Sequence, residues 1–376
     1  MFLEELSIQN LRSLELLTVS PSRRINVLLG KNNAGKTTIL ESIYIGSRLK
    51  TFKQTPTADL IKHGKPGLKI QLNVTKIGEN NIICVEKSLK QHSTAKNNSK
   101  IIGAKEVALL FPVQALTFGT ENIINQPSEQ RRNILDWGLF HVKPKYLSTL
   151  QRYQRCLKHR NFLLKKGKDE ELTYWTEQLV ANGKTIDELR KEYFSLLQES
   201  FKEFIGVAGK SRYKPHADVF NTRLEYYQGW DQNKDLFLCL EKNMQKDRAL
   251  GFTEYGPHKA DILIKKDSSQ LKKIGSMSSQ VIISLILMLG QAEVFHVKQG
   301  DRPILLIDDL FFGIDDTNLM LVIELLIQAK TQCFLTAPDT YKDKLKGAKT
   351  KTGEIELFAL ENQKLTKIEE NEQGKI

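Results

Sequence analysis

Hydrophobic and polar positions change period three times along the chain. Over the first hundred residues, LEELSIQ (3–9), INVLLG (25–30), LKIQLNVTKI (68–77) and NIICVEKSL (81–89) alternate or run apolar as strands do, with polar or Gly-rich punctuation between them. The stretch KQHSTAKNNSK (90–100) has no period and is expected to be a mobile loop. From Pro127 to Gly206 the pattern is helical. Ser128 is placed to cap a helix running through SEQRRNILDW, and Leu147, Leu150, Leu157 and Leu164 keep one helical stripe. After the turn-like KKGKDEE (165–171), Trp175, Leu179, Asn182, Ile186, Leu189, Tyr193 and Leu196 step by 4 and 3. That is a heptad seam with one polar position, which suits an antiparallel helical hairpin and equally an ordinary helix bundle.

Strands resume near Asp218, and the chain closes on an α/β pattern. VIISLILMLGQAEVF (281–295) reads as a helix apolar nearly all round, RPILLID (302–308) as a buried strand, TNLMLVIELLIQAK (317–330) as an amphipathic helix and TQCFLTAP (331–338) as a second buried strand. The expected fold is an α/β head made from both chain ends with an α-helical lobe inserted between them. The sequence shows no internal repeat and no low-complexity tract.

Composition narrows the class. At 376 residues the chain has room for two or three units of about 100 to 200 residues. No stretch of 18 uninterrupted apolar residues occurs, and MFLEELSIQN carries acids where a secretion signal needs a basic and then apolar run. A cytoplasmic location with no membrane partner is therefore expected. Cys84, Cys156, Cys239 and Cys333 lie far apart with no CxxC pair, and the histidines show no ligand spacing, so neither a disulfide framework nor a zinc site is indicated.

The net charge of +12 is more informative because it is localised. From His141 to Lys168 there are nine Lys or Arg and no acid. A one-signed surface of this kind suits a polyanion, since each neutralised phosphate releases counterions. Arg152, Arg155, Lys158 and Arg160 are the candidate contacts to such a polyanion, DNA among them. A solvated basic face and an anionic membrane surface are the other readings of the same run.

The strongest chemical signal is INVLLGKNNAGKTTILESI (25–43). A buried strand enters Gly30-x4-Gly35-Lys36-Thr37 and an apolar-periodic helix follows, the context that a phosphate-binding loop requires. The candidate nucleotide-binding residues are Gly30, Lys31, Asn32, Asn33, Ala34, Gly35, Lys36, Thr37 and Thr38. Glycines let backbone N–H groups face phosphate oxygens, and the helix N-terminus adds its positive end. Lys36 is suited to the β- and γ-phosphates of ATP and the Thr37 hydroxyl to Mg²⁺.

The second signal is PILLIDDLFFGIDD (303–316), with four aspartates in nine positions after a buried strand. A nucleotide-bound Mg²⁺ needs a carboxylate at the end of a neighbouring strand, and Asp308 fits that role. Asp309 is placed to accept a proton from the attacking water or to orient it, while Asp315 or Asp316 is placed to cap the helix that begins near Thr317. About 28 residues before Asp308, GSMSSQVIISLILML (275–289) opens a helix. In ATPases of the ABC and SMC type a Ser-x-Gly-Gln-like signature holds that position, and a plain cap and loop is the competing reading.

Five stretches in order resemble the RecF family of bacterial DNA gap-repair ATPases over nearly the whole chain: LSIQNLRSLE, the loop KNNAGKTT, PSEQRRNILDW, EYGPHKADI, and PILLIDDLFFGID followed by FLTAPD. The resemblance implies a P-loop NTPase of ABC type. Residues 1–122 would form the N-terminal half of the head, 123–250 the inserted helical lobe, and 251–376 the C-terminal half with signature and acidic strand. It implies ATP-dependent homodimerisation, binding of duplex DNA and single-strand gap junctions, work with RecR and RecO in loading RecA, a role in the SOS response, and slow ATP hydrolysis. It also places Ser276 against a γ-phosphate in trans, Arg12 near the nucleotide and Gln114 in the loop that senses metal and water.

The departures from the family pattern fall together. Ser276-Met277-Ser278-Ser279-Gln280-Val281 lacks the usual glycine and arginine, and Phe312-Gly313-Ile314-Asp315 replaces Ser-Glu-Leu-Asp. Lys259-Ala260-Asp261 replaces Arg-Asp-Asp, and Phe118-Gly119 replaces Pro-Glu. All would lie near the γ-phosphate or the dimer interface, and a side chain at Ser278 crowds a backbone approach that glycine permits. A weak DNA-stimulated ATPase is the first expectation. An ATP-holding clamp on DNA with negligible turnover is the alternative.

Overall fold

The computed structural model describes all residues except 53–54, 90–93, 119–122, 168–169, 267–268, 272–274, 312–313 and 370–376. In chain order the strands are β1 (Phe2–Leu11), β2 (Leu14–Val19), β3 (Ile25–Leu29), β4 (Gly67–Lys76), β5 (Glu79–Ser88), β6 (Thr94–Asn97), β7 (Lys100–Ile101), β8 (Val113–Thr117), β9 (Thr222–Tyr227), β10 (Asp261–Lys266), β11 (Ser269–Gln270), β12 (Ile304–Asp308), β13 (Cys333–Ala337), β14 (Ile355–Glu361) and β15 (Lys364–Lys367). Helices longer than ten residues are α1 (Lys36–Arg48), α2 (Ser128–Val142), α3 (Tyr146–Lys166), α4 (Leu172–Lys210), α5 (Met277–Gln299), α6 (Asp316–Ala329) and α7 (Lys342–Thr352).

The chain divides into two compact units. The first comprises Met1–Asn122, Val207–Pro215 and Val281–Ile376; the second comprises Ile123–Gly206 and His216–Gln280. Residues 251–280 thus fall in the second unit and 281–376 in the first.

The first unit holds two sheets. One is antiparallel, in the order β2-β1-β4-β5-β6-β7, and strands such as β4 alternate buried positions with more accessible ones because one face meets the core. The other runs β15-β14-β3-β13-β12-β8, parallel from β14 to β8. Every residue of β3, β12 and β13 is buried, which explains why INVLL, ILLID and CFLTA read as unbroken apolar runs. In this order β13 lies between β3, which feeds the phosphate-type loop, and β12, which ends in Asp308. Helix α5 is apolar and long enough to cross a bilayer by composition, yet 83% of its most apolar window is buried inside the protein, so it is a core helix.

In the second unit α3 and α4 form an antiparallel hairpin: Arg160 Nε donates to Thr176 Oγ1 (3.1 Å), and a Cβ on Gly183 would meet Tyr153 at 3.3 Å. Gly167, at φ 64°, closes α3. The α4 seam differs from the heptad expectation at alternate positions. Leu179, Ile186 and Tyr193 are buried as expected, but Gly183, Arg190 and Leu197 complete the stripe in place of Asn182, Leu189 and Leu196. The reason is polar pairing. Arg190 is drawn inward by Asp136 (2.8 Å) and by the carbonyl of Pro257 (2.6 Å), and Gly183 admits a close approach by Leu236.

Two local expectations are corrected. Part of the stretch 90–100 is ordered: β6 pairs with β5, and Asn98, in a left-handed turn, accepts from Ile82 N–H through its side chain. Cross-strand pairing supplies what the missing period did not signal. At the start of α2, Pro127 holds the cap position and makes no side-chain bond, so Ser128 is the first helical residue.

Candidate nucleotide-binding site

Gly30 leaves β3 at φ 159°, where a Cβ would stand 2.9 Å from the carbonyl oxygen of Leu360, so the backbone route here excludes any side chain. Asn33 at φ 65° and Gly35 at φ 104° then curl the loop into α1. The loop, with Arg12, Ser13, Asp309, Phe311 and Pro338, lines an open cavity of about 760 Å³ within the first unit. That volume lies in the range of small-molecule sites.

Lys36 folds back over the loop, its Nζ donating to the carbonyl oxygens of Gly30 (2.5 Å) and Lys31 (2.9 Å). Burial holds its amine below the usual lysine range, and the carboxylates of Asp339, Asp309 and Asp308 pull in the opposite direction. An entering phosphate would reinforce the charged form. Arg12, at φ 52°, is anchored by its Nη2 to the fully buried Glu41 (2.8 Å) and borders the same cavity.

The acidic side is built by two strands and a helix. Thr37 Oγ1, at the start of α1, donates to Asp308 Oδ1 at 3.1 Å. Thr336 Oγ1, on β13, donates to the same oxygen at 2.7 Å and accepts from Asp309 N–H at 2.9 Å. Asp309 itself is left-handed, at φ 56°. One buried hydroxyl therefore fixes the Asp308 carboxylate and the backbone turn that aims Asp309 at the cavity. Sequence reasoning missed Thr336, whose role depends on the pairing of β13 with β12.

The convergence of Thr37 and Asp308 gives one hydroxyl and one carboxylate oxygen, a donor pair that fits Mg²⁺ completed by phosphate and water. Among the described residues no group of three or more His, Cys, Asp or Glu forms a self-sufficient metal site.

Other expected residues sit differently. Gln114 pairs with Leu305 on β12, three strand positions or about 10 Å short of Asp308, so it is buried within the sheet and away from the loop edge. Asp315 is a cap: its side chain accepts from Asn318 N–H at 2.8 Å, while the exposed Asp316 pairs with Lys344. Ser276 Oγ accepts from Ser279 N–H (3.2 Å) and donates to Ser279 Oγ (2.8 Å), a capping arrangement at the start of α5. Gly119 and Phe312-Gly313 lie outside the described residues.

In the second unit two of the sequence stretches meet. Arg131, from PSEQRRNILDW, makes a two-pronged ion pair with Asp261, from EYGPHKADI (2.8 and 2.6 Å), and Arg132 donates to Ala260 O. His258 accepts from Tyr153 OH at its Nδ1 (2.6 Å) and donates from Nε2 to Thr253 O (3.0 Å), and burial lowers its pKa to about 4.

The basic helix α3 divides by face. Arg152, Arg155 and Lys158 are exposed and form no ion pair among the described residues. Arg160, expected with them to meet DNA, is fully buried and bonded to Asp247 (2.8 Å), Thr253 and Thr176. It is a structural arginine, because leaving that cluster would strand a buried carboxylate.

Residues 1–372 match the family model of the AAA ATPase domain. The chain is 27% identical to the DNA replication and repair protein RecF of Pseudomonas syringae pv. syringae, over 99% of this chain and 100% of that one. It is 28% identical to RecF of Pseudomonas syringae pv. tomato over 90% and 91% of the two chains. Its fold is similar to that of the recombination mediator RecF solved with ATP, with a TM-score of 0.77, 23% identity and 98% and 99% coverage. It is also similar to the Smc head domain of Pyrococcus furiosus, with a TM-score of 0.60, 14% identity and 98% and 96% coverage.

Proposed function

The chain belongs to the AAA ATPase domain family, and from that premise we propose that it is a RecF-like ATP- and DNA-binding protein of recombinational repair. The observation that carries this reading is the meeting of the phosphate-type loop with Asp309 around one cavity, with the buried Asp308 bonded to Thr37 of that loop and to Thr336 behind it. In it the loop amides and Lys36 bind the phosphates of ATP, and Thr37 with Asp308 hold Mg²⁺. The metal supplies charge neutralisation at the phosphate oxygens. Asp309 orients the attacking water and takes its proton. Ser276 meets a γ-phosphate held by a second copy.

The wider reading is a cytoplasmic protein that dimerises on DNA when it binds ATP. It acts with RecR and RecO to load RecA at single-strand gaps, and it contributes to the SOS response. Relatives named for DNA replication and repair support this assignment. A second reading, a clamp that holds ATP with negligible hydrolysis, is favoured by one observation: Ser276 is engaged with Ser279 at its own helix start.

Phosphate release with duplex DNA, comparing the native chain with Lys36→Ala, separates the two. Turnover well above that of the variant supports the ATPase. Equal background rates in both leave only the clamp.

A further inference from the structure

Helix α3 carries a second exposed pattern that the phosphate-binding reading does not use. Arg152, Arg155, His159, Phe162 and Lys166 step by 3, 4, 3 and 4 along one exposed face. A separate buried stripe, with Tyr153, Cys156, Leu163 and Leu164, fills the core. Phe162 is 55% exposed and Tyr174, on the facing helix α4, is 56% exposed. His159 lies flat on Trp175, with centroids 4.3 Å apart and planes within 5°, and Tyr174 meets the edge of Trp175 at 5.4 Å. Trp175 Nε1 donates to Glu171 Oε2 (3.2 Å), which fixes the indole that backs the imidazole.

Large rings left open to water lose apolar burial, and packing does not need them here. Cations alone serve duplex and single strand alike, because both present phosphates. Ring faces serve only unpaired bases, since duplex bases are already stacked on one another.

We propose that the α3–α4 hairpin is a stacking platform for single-stranded DNA, with phosphates on Arg152, Arg155 and Lys158 and bases on Phe162, His159 and Tyr174. The acid-free helix supplies charge complementarity to this occupant. This rests on the reading of the chain as a DNA-binding protein.

The test uses the full chain with ATP, a labelled oligothymidylate of about 20 nucleotides and a duplex of equal length, followed by fluorescence anisotropy. Phe162→Ala and Tyr174→Ala should each weaken single-strand binding about fivefold or more, with duplex binding unchanged. Phe162→Trp should restore it, and its indole emission should be quenched by the oligonucleotide. Because both rings are exposed, the unfolding curves of these variants should overlay that of the native chain. Single-strand binding that ignores the rings, or falls in step with duplex binding, overturns the platform and leaves the DNA-binding reading standing. Binding of neither DNA overturns both.

Discussion

Replacing Thr336 by valine keeps the volume of a fully buried side chain and removes its hydroxyl. Two bonds go: the one donated to Asp308 Oδ1 at 2.7 Å and the one accepted from Asp309 N–H at 2.9 Å. The first is charge-assisted, worth about 1.5–3 kcal/mol, and the second leaves a backbone donor unmet at a cost of about 1–3 kcal/mol. Asp308 keeps the bond from Thr37, so the expected loss of stability is about 3 kcal/mol. Urea unfolding should show a lower midpoint with an unchanged slope. The functional consequence is separate. A carboxylate held by one hydroxyl instead of two should bind the metal about tenfold more weakly, moving the Mg²⁺ dependence of ATP binding to higher concentration. Thr336→Ser should recover most of both effects. Native stability and native Mg²⁺ dependence in Thr336→Val would refute the inference that this hydroxyl organises the two aspartates.

Arg160→Ala should destabilise by about 3–5 kcal/mol by stranding the buried Asp247, whereas Arg155→Ala should leave the urea midpoint unchanged and weaken DNA binding. In salt titrations, Arg155→Ala should lower the slope of log affinity against log salt by about 1, the value for one lost phosphate contact. For His258 the folded pKa of about 4 lies below the unfolded value of 6.5, so its contribution is complete above pH 6.5 and is lost as pH falls toward 4. Fully protonating the unfolded chain there costs about 3 kcal/mol of stability. His258→Asn should flatten the stability profile across that window, as read by urea midpoints at several pH values.

Much of the site was legible because it is local. The loop from Gly30 to Thr38 is contiguous, its strand and helix are periodic, and its geometry requires the glycine at position 30 that the pattern supplies. Asp308 followed from a rule about strand ends. What escaped depends on long-range partners. Thr336 gains its role only through a register that sets β13 between β3 and β12. Gln114 was chosen by residue type, and the pairing with Leu305 places it within the sheet.

Arg160 is the instructive case. Its charge grouped it with Arg152 and Arg155, but Tyr153, Cys156, Arg160 and Leu163 step by 3, 4 and 3 along the buried stripe, so helical period alone separates it from its exposed neighbours. The seam of α4 misled for the converse reason. Leucine outranks arginine as a core residue until Asp136 and the Pro257 carbonyl are in place to receive the guanidinium.

The claim at the centre of this account is that ATP held by the Gly30–Thr38 loop joins two copies of the chain. Molar mass by light scattering with and without Mg²⁺ and ATP tests it most directly. The native chain should move from 43.0 kDa to twice that value when nucleotide is added, and Lys36→Ala should remain at 43.0 kDa in both conditions. A native chain that stays monomeric at saturating ATP, or a Lys36→Ala variant that dimerises equally, would contradict it.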